Sequence, residues 1–261
     1  MRDFKPVDEN LRGAMRFFGQ ATGTGEIGAF DGVQLVYSGL DYGVFNIGFL
    51  DRRVTPDRDL PSILADCARY YRQRNVRWSF WTCEDLLDAG TRRQSREVFA
   101  AAGLRPISYA PGMKAASILP VARRLPPIEC RPVRDAFTRS AFTELTSVCF
   151  DIPFPVARAV YEPEAAWRGD YQGFVGLAGG EAVSIVALVR LAGVVGVYSL
   201  GTSPDHRRRG YGEALLRAAI AQMVSEGQTE PLVLESTEAG YPLYRKLGFR
   251  DVTKFTVYLA K

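Results

Sequence analysis

YSLGTSPDHRRRGYGEALL, residues 198–216, joins an apolar run to an amphipathic one through a basic turn that carries glycines. The run that leads into it, GVVGVYSLGT (193–202), has the β-branched, apolar character of a buried strand. The run that follows, EALLRAAIAQMVSEG (213–227), puts Leu215, Leu216, Ala219, Ile220 and Met223 on one face of a helix, with Gly227 as its stop. Between them stands Arg207-x-x-Gly210-x-Gly212, with Tyr211 between the glycines. The first turn of a helix has unpaired N–H groups and a partial positive charge. Glycines there let an anion reach the main chain, and Arg207, Arg208 and Arg209 can add guanidinium contacts to it. Strand, turn and helix together predict a cradle for a diphosphate.

Upstream of the cradle, IECRPV (128–133) reads as a strand. Residues 134–149 read as a helix with Phe137, Phe142, Leu145 and Val148 on one side. FDIPFPV (150–156), with two prolines, reads as a loop, and residues 157–168 as weakly helical. GFVGLA (173–178) and AVSIVALVRLA (182–192) flank Gly179-Gly180 as a hairpin. After the cradle helix come a strand at 231–236, a helix at 239–247 and a strand at 251–260.

The segment ILPVARRLPP (118–127) interrupts the periodic runs with three prolines and reads as an extended linker. The expected boundaries are 1–118, a linker at 119–127, and 128–261. In the first half, strands are expected at 30–38, 43–50, 76–81 and 107–118. Helices are expected at 60–74 and at 91–103, the latter capped by Thr91. The two halves end alike: FAAAGLRPISYAPGMKA (99–115) and YRKLGFRDVTKFTVYLA (244–260) both set an aromatic residue four positions before a glycine and then a strand. That parallel suggests a diverged duplication.

Composition narrows the function. The chain has 261 residues, 47% hydrophobic and 24% charged, which is ordinary globular composition. No apolar run reaches membrane-spanning length, and no secretory signal follows the first residues, so a cytoplasmic location without membrane association is expected. Cys67, Cys83, Cys130 and Cys149 are widely spaced and read as free thiols. The single histidine, His206, excludes a metal site built on several imidazoles, and no metal is expected. The net charge of +4 comes from residues 1–126 and is too small for a dedicated nucleic-acid binder. GTGEIG (23–28) fits G-x-G-x-x-G, but a strand follows it where a nucleotide fold needs a helix.

With TEAGYPLYRKLGF (237–249), the cradle segment resembles the GNAT superfamily of N-acetyltransferases, over about residues 128–261. The resemblance implies an α+β chain of two GNAT-like domains, each a mixed, mostly antiparallel sheet flanked by helices. It implies that pantetheine lies in a splay between the strand before the cradle and strand 231–236. Leu200, Gly201 and Thr202 then pair with the pantetheine amides, and Arg207 to Gly212 hold the diphosphate. Tyr244 matches the family's tyrosine near the CoA sulfur, and Thr237 stands where many members have Asn. The implied co-substrate is acetyl-CoA and the implied partner a small-molecule or peptide amine. Tyr244, a phenol that stays protonated at neutral pH, is the expected general acid. For the base, Asp151, Glu162, Glu164 and Glu235 stand open. Phe150, Phe154, Tyr161 and Trp167 either shape an acceptor pocket or simply pack.

The first half lacks these features. FLDRRVTPDRDLPSILAD (49–66) has no R-x-x-G-x-G, Pro61 offers no N–H, and Phe99 replaces the tyrosine. A degenerate copy without a cofactor motif is expected there. A non-catalytic acyl-CoA sensor is the alternative reading of the whole.

Overall fold

Val7, Leu11, Ala14, Met15 and Phe18 recur at helical spacing, and all are buried on α1 (Lys5–Ala21), a helix the reading above omits. The computed structural model describes residues 3–54, 59–225 and 230–261. After α1 the first half runs β1 (Glu26–Phe30), β2 (Val33–Tyr37), β3 (Ile47–Leu50), α2 (Leu60–Gln73), β4 (Ser79–Cys83), α3 (Ala89–Ala101) and β5 (Leu104–Ala115). The second half runs β6 (Glu129–Pro132), α4 (Ala136–Phe150), α5 (Phe154–Tyr161), β7 (Tyr171–Ala178), β8 (Glu181–Leu191) and β9 (Val194–Thr202). It continues with α6 (Tyr211–Ser225), β10 (Leu232–Glu235), α7 (Tyr241–Lys246) and β11 (Arg250–Ala260). The order β1-β2-β3-α2-β4-α3-β5 therefore recurs as β7-β8-β9-α6-β10-α7-β11, as the duplication reading expects.

The two copies do not build separate sheets. All eleven strands form one sheet in the order β1-β2-β3-β4-β11-β5-β10-β9-β8-β7-β6. The last strand of each half has crossed over. β11 lies between β4 and β5, and β5 lies between β11 and β10. Each half thus completes the other's sheet, and exchanging equivalent strands leaves the order of the ten strands other than β6 unchanged. The neighbours are antiparallel except at β3–β4 and β9–β10.

A buried asparagine ties the first helix to the second half. Asn10 Nδ2 donates to the carbonyls of Val189 (3.1 Å), Leu191 (3.0 Å) and Val194 (3.4 Å), and its Oδ1 accepts from the Tyr198 hydroxyl at 2.7 Å. The approach needs a glycine, because a Cβ on Gly196 would lie 1.9 Å from Asn10 Oδ1. Phe17 stacks on Tyr171 at 4.1 Å and touches Tyr161 and Trp167, so an aromatic cluster seals the same seam.

Several local expectations change. Phe137 and Val148 are exposed. The buried stripe of α4 runs through Thr138, Ala141, Phe142, Leu145 and Thr146, one step round the helix. Residues 154–156 begin α5 and are not loop, because proline is tolerated in a helix's first turn. Asp88 caps α3 by accepting from Gly90 N and Thr91 N, which moves Thr91 inside the helix. Gly227 lies outside the described residues.

Candidate functional site

β9 and β10 pair only where Val195 and Gly196 meet Leu232 and Val233. Beyond that point, Tyr198, Gly201 and Thr202 pair with β8, while Leu234 and Glu235 pair with Met113 and Gly112 of β5. The parallel pair therefore splays toward the carboxyl ends of both strands. Opposite the gap, β9 bulges at Ser199, whose φ is 48°, and the Ser199 hydroxyl is bonded to Tyr171 at 2.8 Å. The bulge leaves Ser199 and Leu200 without a register partner on β8.

The chain leaves β9 through a short 3-10 turn at Pro204–His206 and enters α6. Arg208 (φ 60°) and Gly210 (φ 94°) take left-handed conformations that wrap the main chain around the helix start. Among the described residues, the amides of residues 208–213 donate to no protein group, whereas Ala214 N already bonds Gly210 O at 2.9 Å. A row of free N–H groups at the positive end of a 15-residue helix is a site for an anion. A Cβ on Gly212 would sit 3.0 Å from Thr202 Oγ1, so the cradle closes directly on the end of β9. Arg207 is fixed by Nε donating to Thr202 O at 3.1 Å. His206 stays in the loop, with Nδ1 bonded to Ser203 Oγ at 2.9 Å.

α2 shows what the other copy does at the same place. Asp59 caps it and accepts from Ser62 N at 2.9 Å, and Pro61 lies in its first turn. A carboxylate of the chain itself already occupies that helix start, and its charge repels any other anion. Phe99 is buried and stacks on Tyr258 at 3.7 Å.

Tyr244, on α7, is buried among the residues that α6 and α7 pack onto the sheet, including Leu216, Leu234 and Phe249. Burial, helped by the charge of Glu235, raises its phenol above the ordinary value. Strand alternation sends Glu235 to the other face. Leu232 and Leu234 join the cluster containing Tyr244, whereas Val233 joins the cluster containing α1. Glu235 Oε1 is sealed from solvent and has no hydrogen-bond partner. Burial, reinforced by the nearby carboxylate of Asp8, holds Glu235 well above the usual carboxylate range. Burial likewise pushes Asp8 up to about 6, against the pull of Arg12, whose Nε lies 3.0 Å away. A phenol and a half-buried carboxyl therefore flank the open end of the splay from opposite faces of one sheet. Sequence spacing gave no reason to single out Asp8, which belongs to a helix of the other half.

The remaining candidate carboxylates are solvated. Asp151 is the exposed left-handed cap of α4, and Glu164 pairs with Arg168 at the surface. Glu162 lends its main-chain carbonyl to Arg139. Tyr161 and Trp167 belong to the seam cluster, and Phe150 and Phe154 are exposed. Phe150 and Cys149 lie against Gly201. Thr237 Oγ1 accepts from Gly240 N at 3.2 Å and so shapes the entry to α7. Among the described residues no group of three or more His, Cys, Asp or Glu side chains could hold a metal ion. No described helix is long and apolar enough to cross a membrane.

Residues 139–249, which span α4 to α7, match the acetyltransferase (GNAT) family. A GCN5-related N-acetyltransferase from Kribbella flavida superimposes with a TM-score of 0.71 at 17% identity, covering 98% of this chain and 94% of its own. A GCN5-related N-acetyltransferase from Sphaerobacter thermophilus gives 0.57 at 15% identity, covering 87% and 76%. A tandem GNAT protein from the clavulanic acid biosynthesis pathway gives 0.54 at 14% identity, covering 87% and 78%. At these identities the likeness is one of fold, and it runs through both halves. No curated protein matches the chain significantly.

Proposed function

We propose that the second half transfers an acetyl group from acetyl-CoA to a primary amine by direct attack, and that the first half binds no cofactor but walls the acceptor side. The observation that carries this reading is the free-amide cradle of residues 208–213 at the mouth of the β9–β10 splay. The residues fit an acyl-CoA, because Gly210 and Gly212, lacking side chains, let the main chain close on Arg123 and on Thr202 while the amides of residues 208–213 stay free for an anion. In this arrangement Arg207, Arg208, Arg209, Gly210, Tyr211 and Gly212 hold the diphosphate. Leu200, Gly201 and Thr202 run beside the pantetheine arm, and Thr237 and Tyr244 close the far side.

When bound, acetyl-CoA supplies the thioester carbonyl that the amine attacks. Glu235 takes the proton that the amine must lose. The raised pKa of Glu235 favours its neutral acid; as an ammonium binds beside it, the carboxyl gives its proton to solvent, and the carboxylate then takes the proton that the attacking nitrogen loses. Tyr244 keeps its proton, because burial disfavours the phenolate, and delivers it toward the departing sulfur. Burial of both groups also makes each polar interaction stronger than it would be in water. Asp8 brings the first half into the site, since its carboxylate helps to set the protonation of Glu235.

The test is release of free CoA thiol from acetyl-CoA when primary amines are added, corrected for hydrolysis. Turnover with at least one amine is expected. Tyr244→Phe should lower kcat by about 100-fold, the scale of a lost general acid, while acetyl-CoA affinity is kept. Unchanged turnover in Tyr244→Phe removes Tyr244 from the mechanism. Tight acetyl-CoA binding with no turnover on any amine favours the sensor reading instead.

A further inference from the structure

We propose that Arg123, in the segment between the two halves, is a ligand of the acyl-CoA diphosphate and makes the linker part of the cofactor site. The proposal rests on the acetyl-CoA reading above and deepens it.

The linker is anchored across the start of α6. Leu119 N donates to Leu247 O at 2.9 Å, and Leu119 O accepts from Arg217 Nη1 at 2.8 Å. The Leu119 side chain lies 2.9 Å from where a Cβ on Gly248 would stand. This path carries Arg123 to the mouth of the cradle. Both of its Nη atoms lie 3.0 Å from the position of a Cβ on Gly210, with Pro126 Cδ 3.2 Å from the same point.

Charge makes this placement informative. Cations stabilise helix C-termini and are disfavoured at N-termini, where the amides carry partial positive charge. Here a guanidinium faces the free amides of residues 208–213, with Arg207, Arg208 and Arg209 in the same turn. In the structure it is held by one carboxylate, Glu213, with Nη2–Oε2 at 3.2 Å, and Glu213 is shared with Arg217 Nε at 3.0 Å. An anion between the guanidinium and the amides turns this repulsion into attraction on both sides, and a planar guanidinium can take two phosphate oxygens at once. Arg207 turns its Nε to Thr202 O on the β9 side, and Arg123 covers the cradle on its linker side.

The experiment is calorimetric titration of the full chain and of Arg123→Gln with two probes, acetyl-CoA and its 3′-dephospho form. Arg123→Gln should bind both about tenfold more weakly, and Arg123→Lys should recover part of the loss. Arg123 is exposed, so the melting temperature without ligand should not move, which separates a binding effect from a folding one. Equal affinities in the wild type and Arg123→Gln overturn the proposal. A loss seen only with the probe that carries the 3′-phosphate overturns the diphosphate assignment. Tighter binding by Arg123→Gln also overturns it, by making Arg123 an obstruction. Failure of the wild type to bind acetyl-CoA counts against the underlying functional reading, and is distinguished because it appears before any substitution.

Discussion

Produced separately, residues 1–118 and 119–261 do not yield two folded monomers, whereas the two pieces produced together reassemble. This outcome is expected because the sheet is shared. Without β11, β4 and β5 lose their common neighbour, and without β5, β10 and β11 are no longer joined. The first piece forfeits Phe255, Val257 and Tyr258 from its core, and Phe99 loses the ring stacked on it at 3.7 Å. At about 2 kcal/mol for each large buried side chain, that approaches the whole stability of a domain, roughly 5–15 kcal/mol. Asn10 adds a second dependence, since its four bonds at the seam leave buried carbonyls unpaired when the halves part. Circular dichroism and thermal unfolding of each piece provide the check. A cooperative transition in residues 1–118 alone contradicts the exchange.

Glu235→Gln should lower kcat/KM by about 100- to 1,000-fold, the range of a lost general base, with acetyl-CoA affinity unchanged. The pH dependence carries the sharper signature. The folded carboxyl is raised above its unfolded value, so it is neutral in a range where ordinary carboxylates are charged. Wild-type kcat/KM should therefore climb as pH rises through that raised pKa, and Glu235→Gln should lose this limb. Stability moves the opposite way. The contribution of a raised carboxyl is fully present below its unfolded pKa, near 4.5, and is lost as pH rises toward the folded one. Relative to the wild type, Glu235→Gln should therefore gain in melting temperature from pH 4.5 upward. A variant that loses activity and melts lower at neutral pH would assign Glu235 a structural role.

The cradle was legible in the sequence because its chemistry is local. Arg207, Gly210 and Gly212 lie within six residues, and the strand and helix around them have strong periodicity. Tyr244 stood out only through the resemblance of residues 237–249 to the family's motif, and its proposed role awaits the Tyr244→Phe test. The acceptor side was not legible. Glu235 looks like any strand-end carboxylate until Asp8 and α1 are seen to bury it, and α1 lies about 225 residues earlier in the chain. The strand exchange was hidden for a related reason. β5 and β11 have the same alternating pattern, and alternation sets which face is buried without choosing a partner. The linker's prolines predicted its extended form, but nothing local marked Arg123, whose neighbours belong to α6.

The proposed transfer requires residues 207–212 to hold an acyl-CoA. The most direct measurement is calorimetric titration of acetyl-CoA into the full chain and into Gly210→Asp. The variant places a negative charge beside the free amides, at a position whose φ of 94° and contact with Arg123 and Pro126 suit a glycine. Micromolar binding by the wild type, with none measurable in a folded Gly210→Asp, is the predicted result. Binding that survives the substitution would place the acyl-CoA elsewhere, and no binding by the wild type would contradict the account at its root.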